Sequence, residues 1–379
     1  MVRFGKKAAV LAAAGALTAL SVTGCSGSIN TDAVVVTVGD EEITLGVANF
    51  YARMTQGQYE TYYAGFMGIT AKEMWTQEVD GDKTYEETTK EALLVSLEDL
   101  YLISQHAGEY EVSLSEDEHK AIEEAVKKFD EANTDEAKEI VSGYRKDVQK
   151  YLELVTVSQK MADKMKEGVN EEVSDEEAAQ KAMQYVYFSY TSTDDEGNST
   201  DLSDEEKESL KGTAQTFCDA EKAGTDIETA AADAGVEVQT ATFDAESATP
   251  DAALVAAADA LANEGDVTEV TETEKGLYVA KLTSLLDREA TDAEKQNIIE
   301  ERKQEQYDSL LEQWREDTEI KVDEKVWKKV DFIDYGVTVI TSEEESTDGT
   351  ADEGAADDGT DESASDGETL DGASDETAE

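Results

Sequence analysis

The spacing of apolar residues changes twice along this chain. From Leu45 to about residue 167 they recur every three or four positions, the period of helices packed on one side. At MQYVYFSYT, residues 183–191, aromatic and β-branched residues crowd together as in a strand, short strands and helices then alternate, and a long helical run opens only at about residue 292. The two periods cannot share one element, so the chain must be helical at both ends with a sheet between them. A single proline, Pro250, leaves the helical runs uninterrupted.

The first helical run follows VVVTVGDEEIT, residues 34–44, which alternates and turns at Gly39-Asp40 as a hairpin does. Thr44 is placed to cap a helix from Leu45 that carries Tyr51, Met54, Gln58, Tyr62 and Phe66 on one side. A second helix is expected over about 84–107, and Ser115 with Glu118 forms a capping box for a third. Residues 135–167 read as one further helix, and Ser174 with Glu177 as another capping box. Beyond it come a strand at 183–191, a helix capped by Ser203 and Glu206, a short helix at 226–234 and a strand at 236–243. A helix at 251–262 and a hairpin of VTEV with GLYVAKLTS complete a small, mainly antiparallel α+β unit. Thr291 with Glu294 opens a long helix, 292–317, and VTVIT reads as a last strand. Residues 342–379 carry acids and no base, with Leu370 as their one large apolar residue, which is the composition of a disordered tail.

The chain opens with Arg3, Lys6 and Lys7, then the apolar run of residues 8–22. That is the pattern of a secretory leader, too short for a transmembrane span. VTGC, residues 22–25, resembles the lipobox of bacterial lipoproteins. The resemblance implies a signal peptide of residues 1–24, cleavage before Cys25, acylation of Cys25, and a tether over 25–33. It places the protein on the outer face of the cytoplasmic membrane, held by lipid rather than by a span. Cys218, the other cysteine, falls at helical spacing with Leu210, Ala214 and Phe217 and is expected in a core.

Acidic residues number 90 against 32 basic ones, a net charge of −58. Such a chain repels phosphate backbones, which excludes a nucleic-acid partner. The sequence carries no metal-ligand spacing, phosphate loop or nucleophile motif, and neither cofactor nor metal is expected.

Several stretches together resemble the extracytoplasmic foldases of the PrsA and SurA type. VTVGDEEITLGVANFY is similar to the opening of their helical domain, and LEDLYLISQHAGEYEVSLSEDE to its later helix–cap–helix stretch. EKAGTDIETAAADAGV and DALANEGDVTEVTETEKGLYVAKL are similar to segments of a parvulin, the peptidyl-prolyl isomerase module of that family. The resemblance spans about residues 34–332. It implies an α+β protein in which a helical, trigger-factor-like chaperone domain, residues 34–170 plus 291–341, carries an inserted parvulin-like domain, residues 171–290.

Parvulins place histidines on the first strand and on the strand after the late glycine. Here the matching positions are Tyr187 and Tyr278, and the family's glycine-rich loop is replaced by the short polar ATFDAESATPD. The two histidines, His106 and His119, fall in the helical part and are expected at its surface. The resemblance therefore implies a degenerate isomerase site filled by sheet tyrosines, with no catalytic residue assigned. Client binding is expected in the helical part, at Tyr59, Tyr62, Tyr63, Phe66, Met67 and Trp75, because aromatic and methionine surfaces adapt to varied apolar partners. The partners implied are unfolded or nascent secreted proteins. The alternatives are an active parvulin-type isomerase and a solute-binding or surface-adhesion lipoprotein. The third lacks the repeated strand–helix units or internal repeats it calls for.

Overall fold

A computed structural model describes residues 19–23, 29–193 and 197–340. Cys25, the tether residues before Ile29 and the acidic tail lie outside the described residues.

The chain enters with β1 (Leu20–Thr23), then the hairpin β2 (Val34–Val38) and β3 (Glu41–Thr44). Helix α1 (Leu45–Gln58) follows directly, its first turn capped by the Thr44 hydroxyl. It passes into a π-helical turn (Tyr59–Ala64) and a single helical turn (Gly65–Met67). Helix α2 (Ala71–Thr76) and the small ribbon β4 (Glu78–Asp80) and β5 (Lys83–Thr84) lead into α3 (Tyr85–His106). Then come α4 (Glu116–Ala132), opened by the Ser115–Glu118 capping box, α5 (Asp135–Val141) and α6 (Arg145–Met165). The single helix expected over 135–167 is broken at Ser142, which adopts φ 54°, so two helices form.

The middle of the chain builds β6 (Lys181–Ser189), the ribbon β7 (Thr191–Thr193) and β8 (Ser199–Asp201), α7 (Asp204–Lys222), α8 (Ile227–Ala234) and β9 (Gln239–Phe243). Helix α9 (Ala252–Asp259), β10 (Thr271–Glu272) and β11 (Gly276–Ser284) complete it. Strands 10, 11, 6 and 9 form one antiparallel sheet in that order. Its two faces are covered separately. Val186, Phe188, Leu277 and Val279 pack with Phe217, Cys218 and Ile227 of α7 and α8. Met183, Tyr185, Ala280 and Leu282 pack with Leu254, Val255 and Ala258 of α9. Cys218 is buried as expected, its thiol 3.2 Å from the Thr268 carbonyl and its pKa pushed up by burial.

The last part returns to the helical body. The chain continues as α10 (Arg288–Asp317), β12 (Ile320–Val322), α11 (Glu324–Trp327) and β13 (Gly336–Val339). Helix α10 begins four residues before the expected start. Asp287 is its cap, and the Thr291 hydroxyl is buried, accepting the backbone N–H of Gln180. Strand β12 pairs with β2, and α10 lies against α3 and α6. One apolar cluster joins Val36, Ile43, Leu97 and Leu154 to Trp327, Val330 and Phe332, so the two ends of the chain share a core.

Ser174 and Glu177 form a turn rather than a helix start. The Glu177 carboxylate is drawn instead to Arg302, which also binds the carbonyls of Asn170 and Glu172. Arg288 and Lys295 together hold Asp175, whose carboxyl falls to about 2 through hydrogen bonds first to Lys295 and then to Arg288. The basic face of α10 thus fixes the path of residues 170–177.

Candidate functional site

Two places carry the residues singled out in the sequence. The first is the four-stranded sheet. Tyr187 on β6 stands directly opposite Tyr278 on β11, and their rings stack at 4.6 Å and 27°. Both lie at the margin of the face covered by α9, half-buried, with Tyr185 one pleat further in. Gly276 makes room for the pair. A Cβ there would lie 2.3 Å from the Phe188 carbonyl and 2.6 Å from the Tyr187 ring. Gly276 is thus required both by the Phe188 carbonyl and by the Tyr187 ring that crowd it.

The Tyr187 hydroxyl donates to the Lys275 carbonyl at 2.7 Å, and that of Tyr185 to Gln239 at 2.6 Å. Desolvation, reinforced by Tyr187, Asp251 and Tyr185, raises the Tyr278 pKa, so its phenol stays neutral. The pair offers an aromatic platform, with the Tyr187 hydroxyl committed to a backbone carbonyl and the Tyr278 phenol neutral.

Both histidines are distant in the helical body. His119 is exposed on α4. His106, expected at the surface, is half-buried instead: it stacks on Trp314 of α10 at 4.2 Å and 6°, with Nδ1 2.7 Å from Glu109. It joins two helices rather than serving a site.

The second place is the end of α1. The six aromatic and methionine residues separate here into base and surface. Trp75 is fully buried and is not part of any exposed face. It packs against Tyr85 and Phe332, and its indole N–H donates to Glu60 at 2.8 Å. Tyr59 is half-buried between Trp75 and Tyr63. Tyr62 and Tyr63 are each 57% exposed, Met67 49% and Phe66 90%. The stripe started by Tyr51 and Met54 has already turned outward at Gln58, and the π-helical turn that follows carries Tyr62 and then Phe66 on the exposed side.

Beneath this turn lies a polar network that apolar periodicity gave no sign of. Asn49, Arg53 and Gln56 are buried along α1, and Glu60 in the π-helical turn that continues it. Asn49 donates to Ile140 O and Ser142. Arg53 donates to Asn49, Gln56 and the Asp331 carbonyl. Gln56 donates to Glu60 and to the Phe332 and Tyr335 carbonyls. Glu60 also accepts the Val337 backbone N–H at 2.8 Å. Burial lowers Arg53 to about 10, leaving it charged, and raises Glu60 against the pull of its donors. The i, i+4 spacing of Asn49 and Arg53, and of Gln56 and Glu60, was the one available signal. It reads equally well as a solvated face.

Among the described residues no group of three or more acidic, histidine or cysteine side chains is placed to hold a metal ion, and no helix is long and apolar enough to cross a membrane.

No family model matches the chain, and no curated protein matches it. Among solved structures it is similar to the foldase PrsA of Lactococcus lactis, at 14% identity and a TM-score of 0.33, over 78% of this chain and 97% of that one. It is also similar to PrsA of Streptococcus pneumoniae, at 15% identity and a TM-score of 0.28, over 67% of this chain and 97% of that one. A third similar structure is the peptidylprolyl isomerase PrsA of Bacillus anthracis, at 17% identity and a TM-score of 0.25, over 59% and 96%.

Proposed function

We propose that this chain is an extracytoplasmic foldase that holds unfolded secreted proteins, anchored to the membrane by lipid on Cys25. The observation that carries this is the cluster of Tyr62, Tyr63, Phe66 and Met67, exposed on a turn whose base is fixed by Trp75 and the Glu60 network. Monomeric surfaces seldom expose aromatics so completely without a partner. A methionine and three rings suit clients that share apolarity and little else. The acidic surface keeps such a protein soluble while loaded.

The four-stranded sheet with its flanking helices is an inserted parvulin-like domain whose tyrosine pair fills the isomerase site. The contacts of β12 with β2 and of α10 with α3 and α6 support that arrangement, since they close the helical body without residues 171–287. In this reading the sheet domain shapes the client cradle and contributes little chemistry.

The test is a pair of assays on the same preparation. Suppression of aggregation of a chemically unfolded model protein is expected at near-stoichiometric ratios. Prolyl isomerisation of a tetrapeptide is expected at close to the uncatalysed rate. A chain that leaves aggregation unchanged refutes the proposal.

A further inference from the structure

Strand β13 lies along α1 and the π-helical turn, and its two edges are treated differently. The backbone N–H groups of Val337 and Val339 point to one side, where Glu60 Oε2 and Thr61 Oγ1 accept them, each at 2.8 Å. That edge is closed by side chains of the turn. Gly57 lets the strand lie this close, since a Cβ there would meet Val337 Cγ1 at 3.3 Å. The opposite edge is taken by β1, antiparallel, with Leu20 opposite Val339 and Val22 opposite Val337. Ile340 N–H donates to the Ala19 carbonyl at 2.9 Å, and the antiparallel alternation makes Ser21 and Thr338 the next pair to exchange bonds.

The seat that β1 occupies reads backbone more than side chain. Leu20 alone is fully engaged, buried in a cluster with Phe50, Met54, Ile122, Phe129 and Val337. Its backbone N–H, facing away from β13, is accepted by Asn133 Oδ1 at 2.8 Å, and the Asn133 amide donates to the Phe129 carbonyl at 2.9 Å. Val22 is half-buried, and Ser21 and Thr23 face outward. An antiparallel backbone with one large aliphatic residue, followed two places on by a smaller one, is all that the seat demands.

Leu20–Thr23 belongs to the segment read as the signal peptide. If the chain is cut before Cys25, β1 is present in the precursor and gone from the mature protein. We propose that the mature protein uses the open edge of β13 to take up an extended apolar segment of an unfolded client as an added strand, and that the leader fills this seat until it is removed. The inference rests on the foldase reading above. An exposed strand edge is a template for an incoming chain, and main-chain bonds give such binding its tolerance of sequence. The turn that closes the far edge of β13 through Glu60 and Thr61 also presents Tyr62 and Tyr63, so strand seat and aromatic patch belong to one short segment.

The probe is a fluorescent peptide of residues 17–24 added to the chain that starts at residue 26. Two altered peptides accompany it, one with Leu20→Asp and one with an N-methyl group on the Ser21 amide, so no change is made to the protein. The unaltered peptide is expected to bind, and each altered one to bind at least ~10-fold more weakly. Reduced, carboxymethylated lactalbumin, which stays unfolded, is expected to displace the peptide. Absence of binding, or equal binding of the N-methyl peptide, overturns strand addition. Peptide binding that lactalbumin leaves untouched, in a protein that still suppresses aggregation, overturns the client as occupant while the foldase reading stands. A protein that suppresses no aggregation removes the foldase reading itself, and the client with it.

Discussion

Tyr187 and Tyr278 stack face to face at 4.6 Å across β6 and β11, which pair them directly. The Tyr187 proton is committed to a backbone carbonyl, and the Tyr278 phenol is held neutral. Tyr278→Phe keeps the stack and removes the hydroxyl, so the isomerisation rate of a proline tetrapeptide is expected to be unchanged. A general acid or base at this position would cost ~100-fold or more on removal. Tyr278→Ala, by contrast, is expected to lower stability by about 1–3 kcal/mol through lost packing against Tyr187, Tyr185 and the α9 face, read by chemical denaturation.

Glu60 gathers three donors: Trp75 Nε1, Gln56 Nε2 and the Val337 amide. Glu60→Ala leaves all three without their acceptor in a buried site, and is expected to destabilise the helical body by about 2–4 kcal/mol. Glu60→Gln keeps the volume and one acceptor and should cost less. If both variants melt with the wild type, the network is not what holds β13 and the turn together.

Asp147, on the first turn of α6, is buried with Oδ2 unsatisfied, and its carboxylate packs on Gly46. Burial raises its pKa from 3.8 to about 6, with Lys146 only partly opposing. Between those values the folded chain binds a proton that the unfolded chain has released, so this group makes stability fall as pH rises from about 4 to 6. The loss integrates to about 3 kcal/mol at most. Asp147→Asn is therefore expected to raise the melting temperature at pH 7.5 by several degrees and to narrow its gain at pH 4.5. An equal gain at both pH values would place the carboxylate's effect elsewhere.

The proposed insertion makes its own demand. Residues 29–170 joined by a short linker to 288–340 retain the β12–β2–β3 sheet and the shared core of Val36, Leu97, Trp327 and Phe332. This shortened chain is expected to melt in one cooperative transition by circular dichroism. A chain without a transition would show that the sheet domain is needed to complete the core.

Much of this architecture was legible in the residues. Three-to-four and two-residue spacing placed the helices and the sheet, and Ser115, Ser203 and Thr44 cap helices where expected. The failures have physical causes. Ser174 capped only a turn because Arg302 on a distant helix draws Glu177 away. The long helix starts at Arg288 because Asp287, not Thr291, meets its free amides. Trp75 could not be told from its exposed neighbours, because its burial depends on Phe332, more than 250 positions away, and on an acceptor, Glu60, in a π-helical turn that periodicity does not encode. The Asn49–Glu60 network was hidden for the same reason. A buried polar stripe and a solvated one look alike until the strand that covers them is in place.

The exposed cluster carries the functional claim, and it can be changed without touching its base. Substitution of Tyr62, Tyr63, Phe66 and Met67 together by serine leaves Trp75, Tyr59 and Glu60 unchanged. The decisive measurement is light scattering of a chemically unfolded model protein diluted into wild type or this variant, at equal concentration, with circular dichroism melts alongside. Wild type should suppress aggregation, and the variant should lose most of that suppression while melting within a few degrees of wild type. Full suppression by an equally stable variant would contradict the account.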